Sequence, residues 1–169
     1  DPECISVDVA DAKICGISCP GVLKITPQDI SLDFELLCHN QELETAIKYL
    51  GDKKNLITGK FDLEAQVMAR GRSEELIKSL SGNFGSIIKN GRISRFGLMT
   101  KILSFLNLTE TFKGKLPRLT KKGFPYKSIT VNGELQNGIL MINEYVMDAT
   151  SMGVTSHGTY DLTEKEVDL

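Results

Sequence analysis

The residues best able to do chemistry are few. Four cysteines, Cys4, Cys15, Cys19 and Cys38, fall in the first quarter of the 169-residue chain, and the only imidazoles are His39 and His157. An even number of cysteines in one segment suits disulfides in an oxidising compartment, but four cysteines allow three pairings and spacing does not choose among them. Zinc is the rival reading. Its usual mark is C-x2-C pairs with histidine nearby, whereas the intervening gaps here are ten, three and eighteen residues, with His39 next to Cys38. Free buried thiols are the third reading. A nucleophilic cysteine needs a positioned base, and two scattered histidines offer little towards one.

Acid chemistry has one candidate pair. Glu144 and Asp148 stand four apart on an apparent strand and so share a face, but nothing places a sugar or a water between them. His157 sits on the polar face of its own strand, as an exposed strand histidine would. No glycine-rich phosphate loop, H-E-x-x-H or G-x-S-x-G occurs. Gly82-Asn83-Phe84-Gly85 reads as a turn. The expectation is a protein that is not an enzyme, with no cofactor and no metal. Twenty basic against 22 acidic residues give a net charge of −2, which supplies no electrostatic case for nucleic acid. Hydrophobic residues at 41% and charged residues at 25% are ordinary for one globular domain, and no apolar run reaches the ~18 residues of a membrane span.

The elements that must position these groups are mostly strands. Residues 5–38 read as a β-meander punctuated by Pro20-Gly21 and Pro27, with Ile30, Leu32, Phe34, Leu36 and Cys38 on its inward face. Residues 41–50 read as a short helix. The clearest strand is 56–69, where Ile57, Gly59, Phe61, Leu63, Ala65, Val67 and Ala69 share one face. At about 3.3 Å per residue it exceeds 40 Å, a length that suits an elongated, bent sheet. Ser73 offers an N-cap to a helix reaching about Leu80, with Gly82 as the left-handed residue past its end. Asn90-Gly91 predicts a hairpin turn between Phe84–Ile88 and Arg92–Arg95.

Residues 97–108 read as a second, unusually apolar helix, carrying Leu98, Ile102 and Phe105. Its two readings are a helix deep in the core and a helix that caps an apolar groove or touches lipid. Residues 109–127 read as a loop with a basic bias: a solvated surface, or a patch near anionic headgroups. Ile129, Val131, Gly133 and Leu135 alternate, Asn137-Gly138 marks another turn, and Ile139–Thr150 forms a strand with apolar residues on both faces. A strand through 154–162 and a short one at Val167 close the pattern. Helices and strands do not alternate regularly, so the expected class is α+β: a curled, groove-like antiparallel sheet of long strands with two or three short helices.

From residue 57 onward the chain resembles the C-terminal region of AsmA-like proteins. The resemblance rests on ITGKFDLEAQVMARG (57–71), SEELIKSLSGNFGSIIKNGRISRFGLMTKILSFLNL (73–108) and YKSITVNGELQNGILMINEYVMDATSMGVTSHGTYDLTEKEVDL (126–169). The order of the pieces carries it: a long strand ending in Gly, a short helix, SLSG, NGRI, an apolar helix, then NG and a closing G-x-Y-D-L. It divides 1–169 into a Cys-containing meander with a short helix over 1–50 and an AsmA-like part over 56–169. The family, similar to TamB and to bridge-like lipid-transfer proteins, implies an envelope protein of diderm bacteria. Its members are held in the inner membrane by an N-terminal helix, with the bulk in the periplasm and a role in outer-membrane biogenesis. Asp1 in place of Met, and a chain that stops on an apparent strand, predict a fragment whose membrane attachment lies outside it.

The resemblance also implies a sheet whose apolar inner face shields or conducts acyl chains. The lining expected from the sequence is Phe61, Leu63, Val67, Ile129, Val131 and Leu135, joined by Leu98, Ile102 and Phe105 from the apolar helix. An ordinary dry core is the competing reading of the same residues. Expected partners are phospholipid and other envelope proteins, with no nucleic acid. The alternative function is a structural, capping or protein-docking module with a closed core and no ligand. A periplasmic location implies that some cysteines pair, Cys15 with Cys38 being the expected pair.

Overall fold

In the computed structural model, residues 4–49, 57–72, 74–94, 123–149, 152–162 and 167–168 are described. In chain order they form β1 (Ile5–Val9), β2 (Lys13–Ile14), β3 (Ile17–Ser18), β4 (Gly21–Ile25), β5 (Ile30–Glu42), α1 (Leu43–Tyr49), β6 (Ile57–Gly71), α2 (Glu74–Lys78), β7 (Ser81–Ile93), β8 (Phe124–Gln136), β9 (Ile139–Ala149), β10 (Met152–Asp161) and β11 (Val167–Asp168). The strands make one open antiparallel sheet, ordered β1-β4-β5-β6-β7-β8-β9-β10-β11, with the β2–β3 hairpin attached through β3 to β5. The α+β class and the curled antiparallel sheet expected from the alternation are what the chain adopts. The pairing of β5 with β6 joins the Cys-containing segment and the rest in one sheet.

The alternation of β6 works as the sequence suggests. Gly59, Phe61, Ala69 and Gly71 are buried while Lys60, Glu64, Met68 and Arg70 are exposed. Its 15 residues span about 50 Å at ~3.3 Å each. Asn137-Gly138 turns β8 into β9 with both residues at positive φ, 52° and 78°, the geometry a two-residue type I′ hairpin demands. A bulge in β9 accounts for part of its apolar pattern on both faces, with Ile139, Met141 and Val146 remaining on the outer one. Asn132 pairs with Glu144 and Gly133 with Ile142, leaving Asn143 extra. The added residue resets the phase, so Ile142 before it and Tyr145, Met147 and Ala149 after it are all buried.

Several expectations need correction. Asn90-Gly91 is not a hairpin turn: β7 runs unbroken through it, paired with β6 and β8. Asn90 takes φ 54°, and the register against β6 steps from Thr58↔Arg92 to Lys60↔Lys89. The dipeptide therefore makes a bulge, which needs the same left-handed backbone as a turn. Gly82 does not end α2, which stops at Lys78. It lies within β7 at φ 149°, where a Cβ would run into the carbonyl of Gln66. The first helix begins at Leu43 because β5 continues to Glu42. The loop expected over 109–127 gives way to β8 at Phe124, where Phe124 and Tyr126 alternate inward with exposed Pro125 and Lys127. Ser73 and the expected helix 97–108 lie outside the described residues.

Candidate functional site

Residues directly opposed in a ladder project to the same face of the sheet, so the registers assemble apolar rows that cross it. One row is Phe61–Ile88–Ile129–Met147–Val154. The next is Cys38–Leu63–Ser86–Val131–Tyr145–Ser156, followed by Leu36–Ala65–Phe84–Gly133–Ile142–Gly158. The last runs Gly21–Phe34–Val67–Gly82–Leu135–Leu140–Tyr160, from β4 to β10. All six sequence-expected residues on described strands, Phe61, Leu63, Val67, Ile129, Val131 and Leu135, fall in these rows and so on one face. Leu98, Ile102 and Phe105 lie outside the described residues.

The rows differ in depth. In the first, Phe61 is 6% exposed, Ile129 3% and Met147 0%. Ile93, Phe124, Tyr126, Ile142, Tyr145 and Val154 join Ile129 and Met147 in one buried cluster. Phe61 sits in a second cluster with Cys38 and Ala46 of α1. This end of the face is packed away from solvent. At the other end Phe34, Leu36, Ala65, Val67, Phe84, Leu135, Leu140 and Tyr160 are only half-buried. The six expected residues therefore split. Phe61 and Ile129 belong to a core, Leu63 and Val131 to the transition, and Val67 and Leu135 to an apolar lane that remains accessible.

Two aromatic rings shape that lane, and the sequence reading did not single them out for it. A Cβ on Gly133 would strike the Phe84 ring, and one on Gly21 would strike the Phe34 ring. Each ring lies over a neighbouring strand's glycine, giving the lane a low floor instead of a row of upright side chains. Glycine at inward strand positions was the available signal, since it marks a close approach by another group. Both rings keep polarizable apolar surface partly open to a ligand.

The opposite face is mixed: Leu37, Met68, Ile87 and Ile139 are exposed on it, and several of its charges are paired. Arg70 Nε donates to Asp29 Oδ2 at 2.6 Å; with the Thr26 hydroxyl this holds the Asp29 carboxyl below the ordinary carboxylate range. Asp62 accepts from the Asn40 backbone N–H at 2.8 Å and from Lys89 Nζ at 3.0 Å, which lowers its pKa in that order. A shallow depression of about 490 Å³ lies over Gly85, lined by Asp62, Glu64, Asn83, Thr130 and Asn132 among others. The expected acid pair is divided between separate partners. Glu144 accepts from Asn132 Nδ2 at 2.9 Å, and Asp148 lies 3.6 Å from Lys127 Nζ. His157 is exposed.

The four cysteines are free thiols, with Cys19 and Cys38 buried, Cys15 half-buried and Cys4 exposed. Among the described residues no three His, Cys, Asp or Glu side chains are grouped to hold a metal ion. No helix among them is long and apolar enough to cross a membrane. Compared with protein-family models, curated proteins and solved structures, the chain matches none.

Proposed function

We propose that this chain is a periplasmic module of an AsmA-like envelope protein that binds or conducts lipid acyl chains in outer-membrane biogenesis. In this reading an N-terminal segment outside the chain holds the protein in the inner membrane. One observation carries the lipid part: the half-buried apolar lane that crosses the sheet from Phe34 through Val67 and Leu135 to Leu140 and Tyr160. Apolar surface left accessible in this way gains from an acyl chain, at roughly 0.8 kcal/mol per buried CH2. No polar group along the lane has to recognise a headgroup. The envelope location rests on the resemblance of residues 57–169.

A second reading has its own observation. The closed end, with Phe61, Ile129, Ile93 and Met147 packed away from solvent, suits a module that terminates a sheet and docks a protein. Organic extracts of the chain purified from periplasm, analysed by mass spectrometry, separate the two. Phospholipid near one per chain in the wild type, absent from a folded Val67→Glu/Leu135→Glu variant, supports the lipid module. A wild type that carries no lipid and acquires none from phosphatidylethanolamine vesicles overturns it and favours docking.

A further inference from the structure

The β2–β3 hairpin is a small arm lying against β5. Ser18 of β3 pairs with Leu37 of β5. Its turn is Cys15-Gly16, flanked by the pair Ile14↔Ile17. Both turn residues have positive φ, 58° and 82°, as a two-residue type I′ turn requires. Asn, Asp and Gly tolerate that geometry and cysteine has no such advantage. What the turn does provide is position. A Cβ on Gly16 would collide with the side chain of Gln41, so the tip rests on the bulged part of β5 between Cys38 and Gln41. Cys15, Ile17 and Leu43 pack against the cluster formed by Cys38, Ala46 and Phe61.

The other two cysteines are placed differently. Cys19 is buried, but its thiol turns back to the Ile17 carbonyl at 3.5 Å and it takes no part in that cluster. Cys4 is exposed beside β1, which is separated from β5 by β4. The Cys38 thiol makes a weak contact, 4.0 Å from the Phe61 carbonyl, and touches the Leu63 backbone.

We propose that Cys15 and Cys38 are a disulfide-forming pair that staples the β2–β3 arm onto β5. The co-reactant is a small-molecule or protein disulfide. The half-buried Cys15, as thiolate, attacks one sulfur of it, forming a mixed disulfide and releasing the other half as a thiolate. Cys38 then loses its proton to solvent and attacks the Cys15 sulfur. The Cys15–Cys38 bond forms as the mixed disulfide breaks and the second half leaves as a thiolate. Two protein thiols are oxidised and one external disulfide is reduced to two thiols. Burial raises the Cys38 thiol above its ordinary pKa, so closure accelerates with rising pH. The pairing is independent of whether the lane binds lipid.

The test is incubation of the full chain with oxidised glutathione, acid quenching, and peptide mapping under non-reducing, denaturing conditions. The expected result is one Cys15–Cys38 cross-linked peptide pair, with Cys4 and Cys19 alkylated. The same cross-link forms in Cys4→Ser/Cys19→Ser, and Cys38 becomes alkylatable in Cys15→Ser. Four alkylatable thiols after oxidation, or Cys38 joined to Cys19 in place of Cys15, would overturn the proposal. Cys15→Ser keeps it testable if replacing the buried Cys38 prevents folding.

Discussion

At the scale of single residues, one tightly constrained point is where β6, β7 and β8 meet beside the Asn90 bulge. The Tyr126 hydroxyl donates to the Thr58 carbonyl, and a Cβ on Gly91 would strike both that carbonyl and the Tyr126 ring. Gly91→Ala is expected to destabilise by about 1–3 kcal/mol through overpacking, read as a lower urea midpoint at unchanged m-value. The buried tyrosines also set an alkaline limit. Burial lifts Tyr145 to about 12, and Tyr126 is raised further by burial and by the charge of Glu44. The unfolded chain gives up those protons near the ordinary tyrosine value of about 10, while the folded chain retains them. Their contribution is thus complete below that value and is lost as pH rises from there to about 12 and beyond. Urea midpoints measured across that window should fall more steeply for wild type than for Tyr145→Phe. Parallel curves would assign the alkaline loss elsewhere.

At the scale of elements, the bulges decide which side chains reach the apolar face. Removing Asn143 leaves Ile142, Glu144, Tyr145 and Val146 in plain alternation; the β9–β10 ladder becomes regular because His157 then faces Glu144 alone, and the β8–β9 ladder keeps only its shift at Lys127. Deletion of Asn143 is therefore expected to cost little, under about 1 kcal/mol. Deletion of Val146 turns either Met147 and Ala149 or the preceding half of β9 to the wrong face, and should unfold the sheet. Thermal denaturation of the two deletions checks this, and equal losses would refute the phase argument. The same bulge shows what was legible in the sequence. Period two located the long strands, and it placed Phe61, Leu63, Val67, Ile129, Val131 and Leu135 on one face. It could not separate Asn90-Gly91 from Asn137-Gly138. Both asparagines adopt left-handed backbone, but only the first dipeptide is flanked by a partner, β8, that arrives from more than thirty residues downstream. Nor could alternation report depth, which depends on α1 and on the cluster around Met147 rather than on β6 itself.

At the scale of the whole molecule, an open sheet has one apolar face that serves two ends. From β4 to β10 the lane crosses seven strands, about 29 Å at ~4.8 Å per strand gap. Stability and ligand binding should therefore separate along the strands. Ile129→Ala removes packing from the closed end and is expected to cost about 2–5 kcal/mol, while the lipid carried per folded molecule stays unchanged. Leu135→Glu places a charge on the half-buried lane, where solvent still reaches it. It should cost much less stability than an equivalent charge at Phe61, yet remove bound lipid. Chemical denaturation and quantitative lipid extraction on the same preparations give both readouts. If the two variants lose stability and lipid in the same proportion, the face is one continuous core and the lane is no separate site. If they separate, the closed end is the anchor that lets the rest of the sheet keep apolar surface open without collapsing on itself.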